Sequence, residues 1–252
     1  MMAIESDIEQ EARRIIAAGE AQGLRLRLLG GLAIRLHAPS ATREPLVRAG
    51  ADIDLVTDAR SHTVERLLSG LGYLPDREFN LLHGATRLLF HAARQARRVD
   101  VFVGRFEMCH RLPITARLAL EPLTLPLAEL LLTKLQIVQL NAKDLRDIAA
   151  LLLDHPVADG DAETINALYI ARLCASDWGL WRTVTGNLDT VRTFVAASGL
   201  DAAARALLDE RIAALRAAID AAPKSFKWKS RAVIGERARW YELPEEVARN
   251  ED

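Results

Sequence analysis

The sequence predicts an α+β protein, a mixed sheet with flanking helices followed by a helical C-terminal region. Up to about residue 125, short stretches of period-two alternation interchange with stretches of helical period, as expected of a sheet layered with helices. Beyond that point Leu- and Ala-rich helical periodicity takes over, broken at HPVADGD (155–161) and AAPKS (221–225). Half of the 252 residues are hydrophobic, which is ample for a core. We divide the chain at residue 155, with 1–155 as the mixed domain and 156–252 as the helical region.

Taken in order, residues 4–22 carry Ile4, Ile8, Ile15 and Ile16 among charges, which predicts an amphipathic opening helix. Leu24, Leu26 and Leu28 alternate with Arg25 and Arg27 as a strand, then Gly30 and Gly31 break the pattern before a helical LAIRLH. Ala38 to Ala51, with Pro39, Pro45 and Gly50, reads as a loop. Residues 52–57 (DIDLVT) predict a second strand, and Ser61 is expected to cap a helix running to about Gly70. A β-rich region from Phe79 to Val103 contains RLLFHA and RRVDVFVG. Helices are expected at 126–140 and 142–154, packed on the mixed part, with Asn141 as the start signal of the second.

Charge and cysteine content narrow the function classes. Lys plus Arg number 33 against 34 for Asp plus Glu, so there is no global pull toward nucleic acid or acidic membrane, and any polyanion contact is local. Cys109 and Cys174 lie far apart outside any CxxC spacing, which speaks against a disulfide framework or a zinc site and fits a reducing cytoplasm. The N-terminus has acids where an export signal needs a basic end, and the Leu-rich stretch 123–140 is interrupted by Pro126, Glu129 and Lys134. A cytoplasmic protein without a membrane partner is the expectation. His37, His83, His91 and His110 lack metal-ligand spacing, and no GxSxG, P-loop or Cys–His pattern points to another enzyme class.

The candidate chemistry lies in the aspartates. A strand projects alternate side chains to one face, so Asp52 and Asp54 point the same way, with α-carbons roughly 6.6 Å apart, while Ile53 and Leu55 face the core. In RRVDVFV the valines at 99, 101 and 103 share one face and Asp100 takes the other. If the two strands are neighbours, three carboxylates converge. Clustered carboxylates repel unless a cation neutralises them, which suits an oxygen-seeking Mg²⁺ or Mn²⁺. Each aspartate alone reads first as a solvated strand residue. Gly30 and Gly31, between a strand and a helix, let backbone amides approach a phosphate at the helix N-terminus, or simply make a tight turn.

One lysine stands out. Only 5 of the 33 basic residues are lysines, and Lys134 falls within the apolar stripe traced by Leu127, Leu130, Leu131, Leu135 and Val138. Its ammonium either snorkels out along its stem or is buried against an anion, a nucleotide phosphate or a site carboxylate. With phosphate as that anion, Lys134→Met is expected to keep or raise thermal stability. Lys143 and Asp147, four apart, are placed to pair on the helix surface.

The succession LLGGLAIRLH, RAGADIDLV, RRVDVFVG and LLLTKLQIVQLNAKDLRDIAALL, over about residues 10–155, resembles the nucleotidyltransferase superfamily, in particular AbiEii-like nucleotidyltransferase toxins. The resemblance implies a nucleotidyltransferase fold in which Gly30 and Gly31 cradle an NTP, and Asp52 and Asp54 hold the metal. It further implies that Asp100 completes the metal site and assists deprotonation of the acceptor. Arg48 matches a basic residue preceding the paired acids and would reach a phosphate, Lys134 matches a functional lysine, and a KDxxD-like segment makes Lys143, Asp144 and Asp147 secondary candidates. Gly50 stands where this branch commonly carries Ser or Thr, and the stretch from Gly31 to Asp52 is long. DIDLVT also has a superficial likeness to the first motif of haloacid-dehalogenase phosphatases, but there the apolar run precedes the Asp and here it follows.

Residues 224–239 hold Lys224, Lys227, Lys229, Arg231, Arg237 and Arg239 against Glu236, with Phe226 and Trp228 interleaved and Trp240 adjacent. They read first as a solvated helix face anchored by its aromatics. The same residue types hold RNA phosphates and stack on bases. The expected function is transfer of NMP from an NTP to a hydroxyl acceptor. The toxin-like resemblance implies an RNA end, such as that of tRNA, and an antitoxin protein as partner. A catalytically silent nucleotide- or protein-binding module and a small-molecule, antibiotic-type nucleotidyltransferase are the alternatives, since a fold alone does not choose among functions.

Overall fold

The computed structural model describes residues 2–48, 52–92 and 97–243. Helix α1 (Met2–Glu20) buries Ile8, Ala12, Ile15 and Ile16, successive turns of one face. Strand β1 (Leu26–Leu29) leads directly into α2 (Gly30–His37), a 3-10 turn (Pro39–Thr42) stands where a loop is expected, and β2 (Ile53–Thr57) comes next. Then come α3 (Ser61–Gly70), β3 (Tyr73–Pro75), α4 (Arg77–His83), β4 (Arg87–Ala92) and β5 (Arg98–Val103). The five strands form one mixed sheet in the order β1-β2-β5-β4-β3, in which only the central pair β2 and β5 runs parallel. Ile53, Leu55, Leu88, Phe90, Val99 and Val101 are fully buried, as expected for interior strands.

A two-residue hairpin, β6 (Phe106–Glu107) with β7 (Arg111–Leu112), precedes α5 (Leu127–Leu135) and α6 (Ala142–Asp154). A short parallel ladder, β8 (Val157–Ala158) with β9 (Ile165–Asn166), opens the helical remainder of α7 (Ala167–Ser176), α8 (Trp178–Ala197), α9 (Ala202–Ala221) and α10 (Phe226–Ile234). Helices α5 and α6 touch α2 on one side and α8 on the other, and one continuous apolar core runs from α1 through the sheet to α9. The α+β class is therefore observed.

Several elements differ from the sequence reading. Ser61 does not cap α3; Arg60 occupies that position, and the Ser61 hydroxyl donates to the Gly84 carbonyl instead. The region from Phe79 starts as helix, because Asp76 accepts from the Phe79 amide at 3.0 Å and nucleates α4. Edge strand β3 was not anticipated, and its Pro75 is tolerated because an edge position need not donate to a ladder. Helix α5 ends at Leu135 rather than 140, where the Asn187 side-chain amide donates to the Leu135 and Ile137 carbonyls at 2.8 and 2.7 Å and so satisfies the helix terminus. Arg27 is buried, its guanidinium donating to the backbone carbonyls of Leu26, Leu118 and Glu121.

Candidate active site at the β2–β5 edge

The parallel register pairs Asp54 with Asp100, and Asp52 stands just ahead of the β2 ladder. Strand alternation turns Ile53 and Leu55 into the core and leaves Asp54 on the opposite face, partly open to solvent. The two flanking carboxylates each carry an arginine. Arg98, on β5, reaches Asp52 at 2.8 Å. Arg87, on β4, grips Asp100 with a fork: its Nε lies 2.9 and 3.2 Å from the two carboxylate oxygens and its Nη2 bonds to Oδ2. The Arg87 guanidinium is flanked by the rings of Phe79 at 5.6 Å and Phe102 at 5.1 Å, and the Asp100 side chain is only 3% exposed.

Asp54 differs from both neighbours, since no hydrogen bond or ion pair to its carboxylate is formed among the described residues. Burial first, then the charges of Asp100 and Asp52, push its pKa up to about 7, while Lys134 and Arg98 pull it partway back. Its Oδ2 lies over Gly30, where a Cβ would come within 2.1 Å, and Gly30 itself adopts φ +70°, which a side chain would strain. The carboxylate thus sits at the N-terminal end of α2, where the helix dipole favours negative charge.

The glycine pair accommodates the protein's own charges. Beside Gly31 the space that a Cβ would need is taken by the Arg48 guanidinium, whose Nη2 would be 1.2 Å away. Arg48 Nε donates to Asp147 at 2.9 Å. Lys134 lies 2.8 Å from Asp144 Oδ1 and 2.9 Å from Asp147 Oδ2, with its side chain 13% exposed. The ammonium is buried against carboxylates, and their charges raise its pKa although burial opposes them. Asp144 also closes a capping box with Asn141 at the start of α6. The expected surface pair of Lys143 with Asp147 does not form: Lys143 is exposed, and Asp147 turns inward to Arg48 and Lys134.

Two adjoining clusters result, Asp52–Asp54–Asp100 with Arg87 and Arg98, and Arg48–Asp147–Lys134–Asp144. Gly30 and Gly31 lie between them, and the field of Lys134 at Asp54 couples the two. Gly50 lies outside the described residues. Arg87 and Arg98 were missed in the sequence. Arg98, two residues before Asp100, shares its strand face by simple alternation, a signal that was available. Arg87 becomes adjacent to Asp100 only through the β4–β5 register, in which Leu89 stands opposite Asp100.

A three-carboxylate metal clamp does not fit this arrangement. Among the described residues no group of three or more His, Cys, Asp or Glu is placed to hold a metal ion, and both oxygens of Asp100 are committed to Arg87. Asp52 and Asp54 do suit Mg²⁺ or Mn²⁺, which binds through one or two carboxylates together with substrate phosphates.

The basic C-terminal stretch is a separate region. Helix α10 contacts α7 and α8, and its two aromatics part ways: Trp228 packs on Trp181 at 5.2 Å, beside the Trp178–Trp240 pair at 5.9 Å, while Phe226 is exposed. Arg231 stacks over Trp178 at 4.7 Å and donates to the Gly235 and Ala238 carbonyls, while Lys224 caps the C-terminal carbonyls of α9. Lys227, Lys229, Arg237 and Arg239 are exposed. No helix among the described residues is long and apolar enough to cross a membrane. In comparisons with known proteins, no family model and no curated sequence matches the chain.

Proposed function

We propose that the chain is a metal-dependent nucleotidyltransferase, transferring NMP from an NTP to a hydroxyl acceptor with release of pyrophosphate. The observation that carries this reading is Asp54, a carboxylate with no hydrogen bond or ion pair among the described residues, placed between two other carboxylates and over the Gly30 turn. Burial and two like charges oppose its ionised form, Lys134 and Arg98 offset them in part, and a bound cation would favour it further. A divalent ion arriving with the triphosphate would neutralise phosphate charge and order the in-line displacement. Asp52 and Asp54 would hold it. Arg48 and Lys134, on the far side of the glycine pair, would attract the remaining triphosphate charge, Lys134 as a point charge and Arg48 as a fork. The acceptor hydroxyl gives up its proton to water and its oxygen forms a bond to the α-phosphorus as the bond to pyrophosphate breaks. An RNA 3′ end is the acceptor class we favour, with the exposed Lys227 and Lys229 as backbone contacts.

The test is incubation with α-labelled NTPs, Mg²⁺ or Mn²⁺, and total tRNA. Label should enter RNA with the wild-type protein and not with Asp54→Asn. A second reading, a silent nucleotide-binding module, draws on the arginines that already neutralise Asp52 and Asp100. NTP binding without transfer to RNA or to small hydroxyl acceptors decides for that module.

A further inference from the structure

The geometry points to Arg87 as a positioning residue that withdraws Asp100 from cation binding, so that the site takes a single divalent ion on Asp52 and Asp54. This inference rests on the nucleotidyltransferase reading and deepens it. The two arginines of the site are not equivalent. Arg98 makes one contact with Asp52, a side chain 41% exposed, so a cation can compete for the free oxygen. Arg87 engages both oxygens of a side chain 3% exposed, and it is fixed in turn by Phe79 and Phe102 and by Met108 Sδ at 4.0 Å. Planar bidentate pairing of this kind is the strongest form of an arginine–carboxylate contact. Removing Arg87 from Asp100 would strand a buried charge on each partner.

Arg87 therefore fills with a fixed guanidinium the place a second metal ion would take beside the third carboxylate. Asp100 then serves neither as ligand nor as proton acceptor.

Mn²⁺ titration followed by electron paramagnetic resonance tests this with the metal alone and then with a non-hydrolysable NTP analogue. The wild-type protein should bind one Mn²⁺ per chain. Asp100→Asn should leave the affinity within about twofold, whereas Asp54→Asn should abolish binding. Arg87→Gln should admit a second ion on the released Asp100, and Arg87→Lys, which restores the charge, should return the count to one. A purely structural Arg87 would not change the count. If Arg87→Gln does not fold, the wild-type count and Asp100→Asn decide. Two ions on wild type, or a loss of about tenfold or more with Asp100→Asn, the size expected for a metal-site residue, overturns the inference and leaves the function standing. No Mn²⁺ on wild type, with or without the analogue, overturns the function and the count together.

Discussion

The β2–β5 edge and the C-terminal segment both concentrate charge, and they dispose of it in opposite ways. Around α10 the arginines and lysines that are not in water cap carbonyls or stack on tryptophans, and the tryptophans fill a cluster of their own. Lys227, Lys229 and Phe226 are left exposed. At the β2–β5 pair and on α6, Asp52, Asp100, Asp144 and Asp147 are likewise answered by arginine or lysine, but among the described residues none pairs with Asp54. Composition marks both regions as interesting; charge balance separates them, because only one leaves a charge for a ligand to complete.

The comparison is broken most severely by removing an arginine from the aspartate cluster. Arg87→Ala should cost about 3–5 kcal/mol, the usual loss when a buried ion pair loses one partner, measured by denaturant unfolding. A loss below about 1 kcal/mol would mean that Asp100 is solvated and the pairing incidental.

Lys134→Met should cost about 3 kcal/mol, because Asp144 loses its ion pair and Asp147 retains only Arg48. This reverses the expectation drawn from an apolar helix face, since the lysine already has protein counter-charges. Thermal unfolding at neutral pH decides, and an unchanged or raised midpoint would restore the phosphate-only role.

Asp54→Asn should sharpen the contrast through pH. The folded-state pKa of about 7 lies above the ordinary aspartate value of 3.8, so the folded protein binds this proton more tightly than the unfolded chain. The stabilisation is complete below the unfolded value and is lost as pH rises toward 7, at a slope of at most about 1.4 kcal/mol per pH unit. In EDTA, Asp54→Asn should therefore gain stability over wild type between pH 4 and 7. Parallel stability curves for the two proteins would show that Asp54 is already neutralised.

The smallest effect belongs to the other region. Replacing Lys227 and Lys229 together by Ala should move stability by no more than about 0.5 kcal/mol, because both are exposed. Filter binding to tRNA should weaken with a shallower salt dependence if they contact the RNA backbone. An unchanged salt slope would remove them from any RNA path.

Much of the fold could be read from the sequence because its signals are local. Alternation located β1, β2, β4 and β5, and apolar periodicity with Asn141 located α6. Helix α4 escaped because Leu81 and Leu82, 86% and 69% exposed, suggested a buried strand where there is a solvent-facing helix. In the site, Asp54 and Asp100 were placed together by period-two alternation plus the assumption of neighbouring strands, which the register bears out. What the sequence could not give was pairing across distance. Asp147 lies 13 residues after Lys134, beyond one helix, and Arg48 reaches Asp147 from far back in the chain, so only the packing of α5, α6 and α2 brings them together.

The most direct test is calorimetric titration of Mg²⁺–NTP into wild-type protein, Asp52→Asn and Asp54→Asn, with circular dichroism confirming that all three fold alike. The account predicts binding by wild type, abolished in Asp54→Asn and at least strongly weakened in Asp52→Asn. Equal affinity in all three proteins would contradict it, because the unpartnered carboxylate at the β2–β5 edge would then have no part in holding the nucleotide.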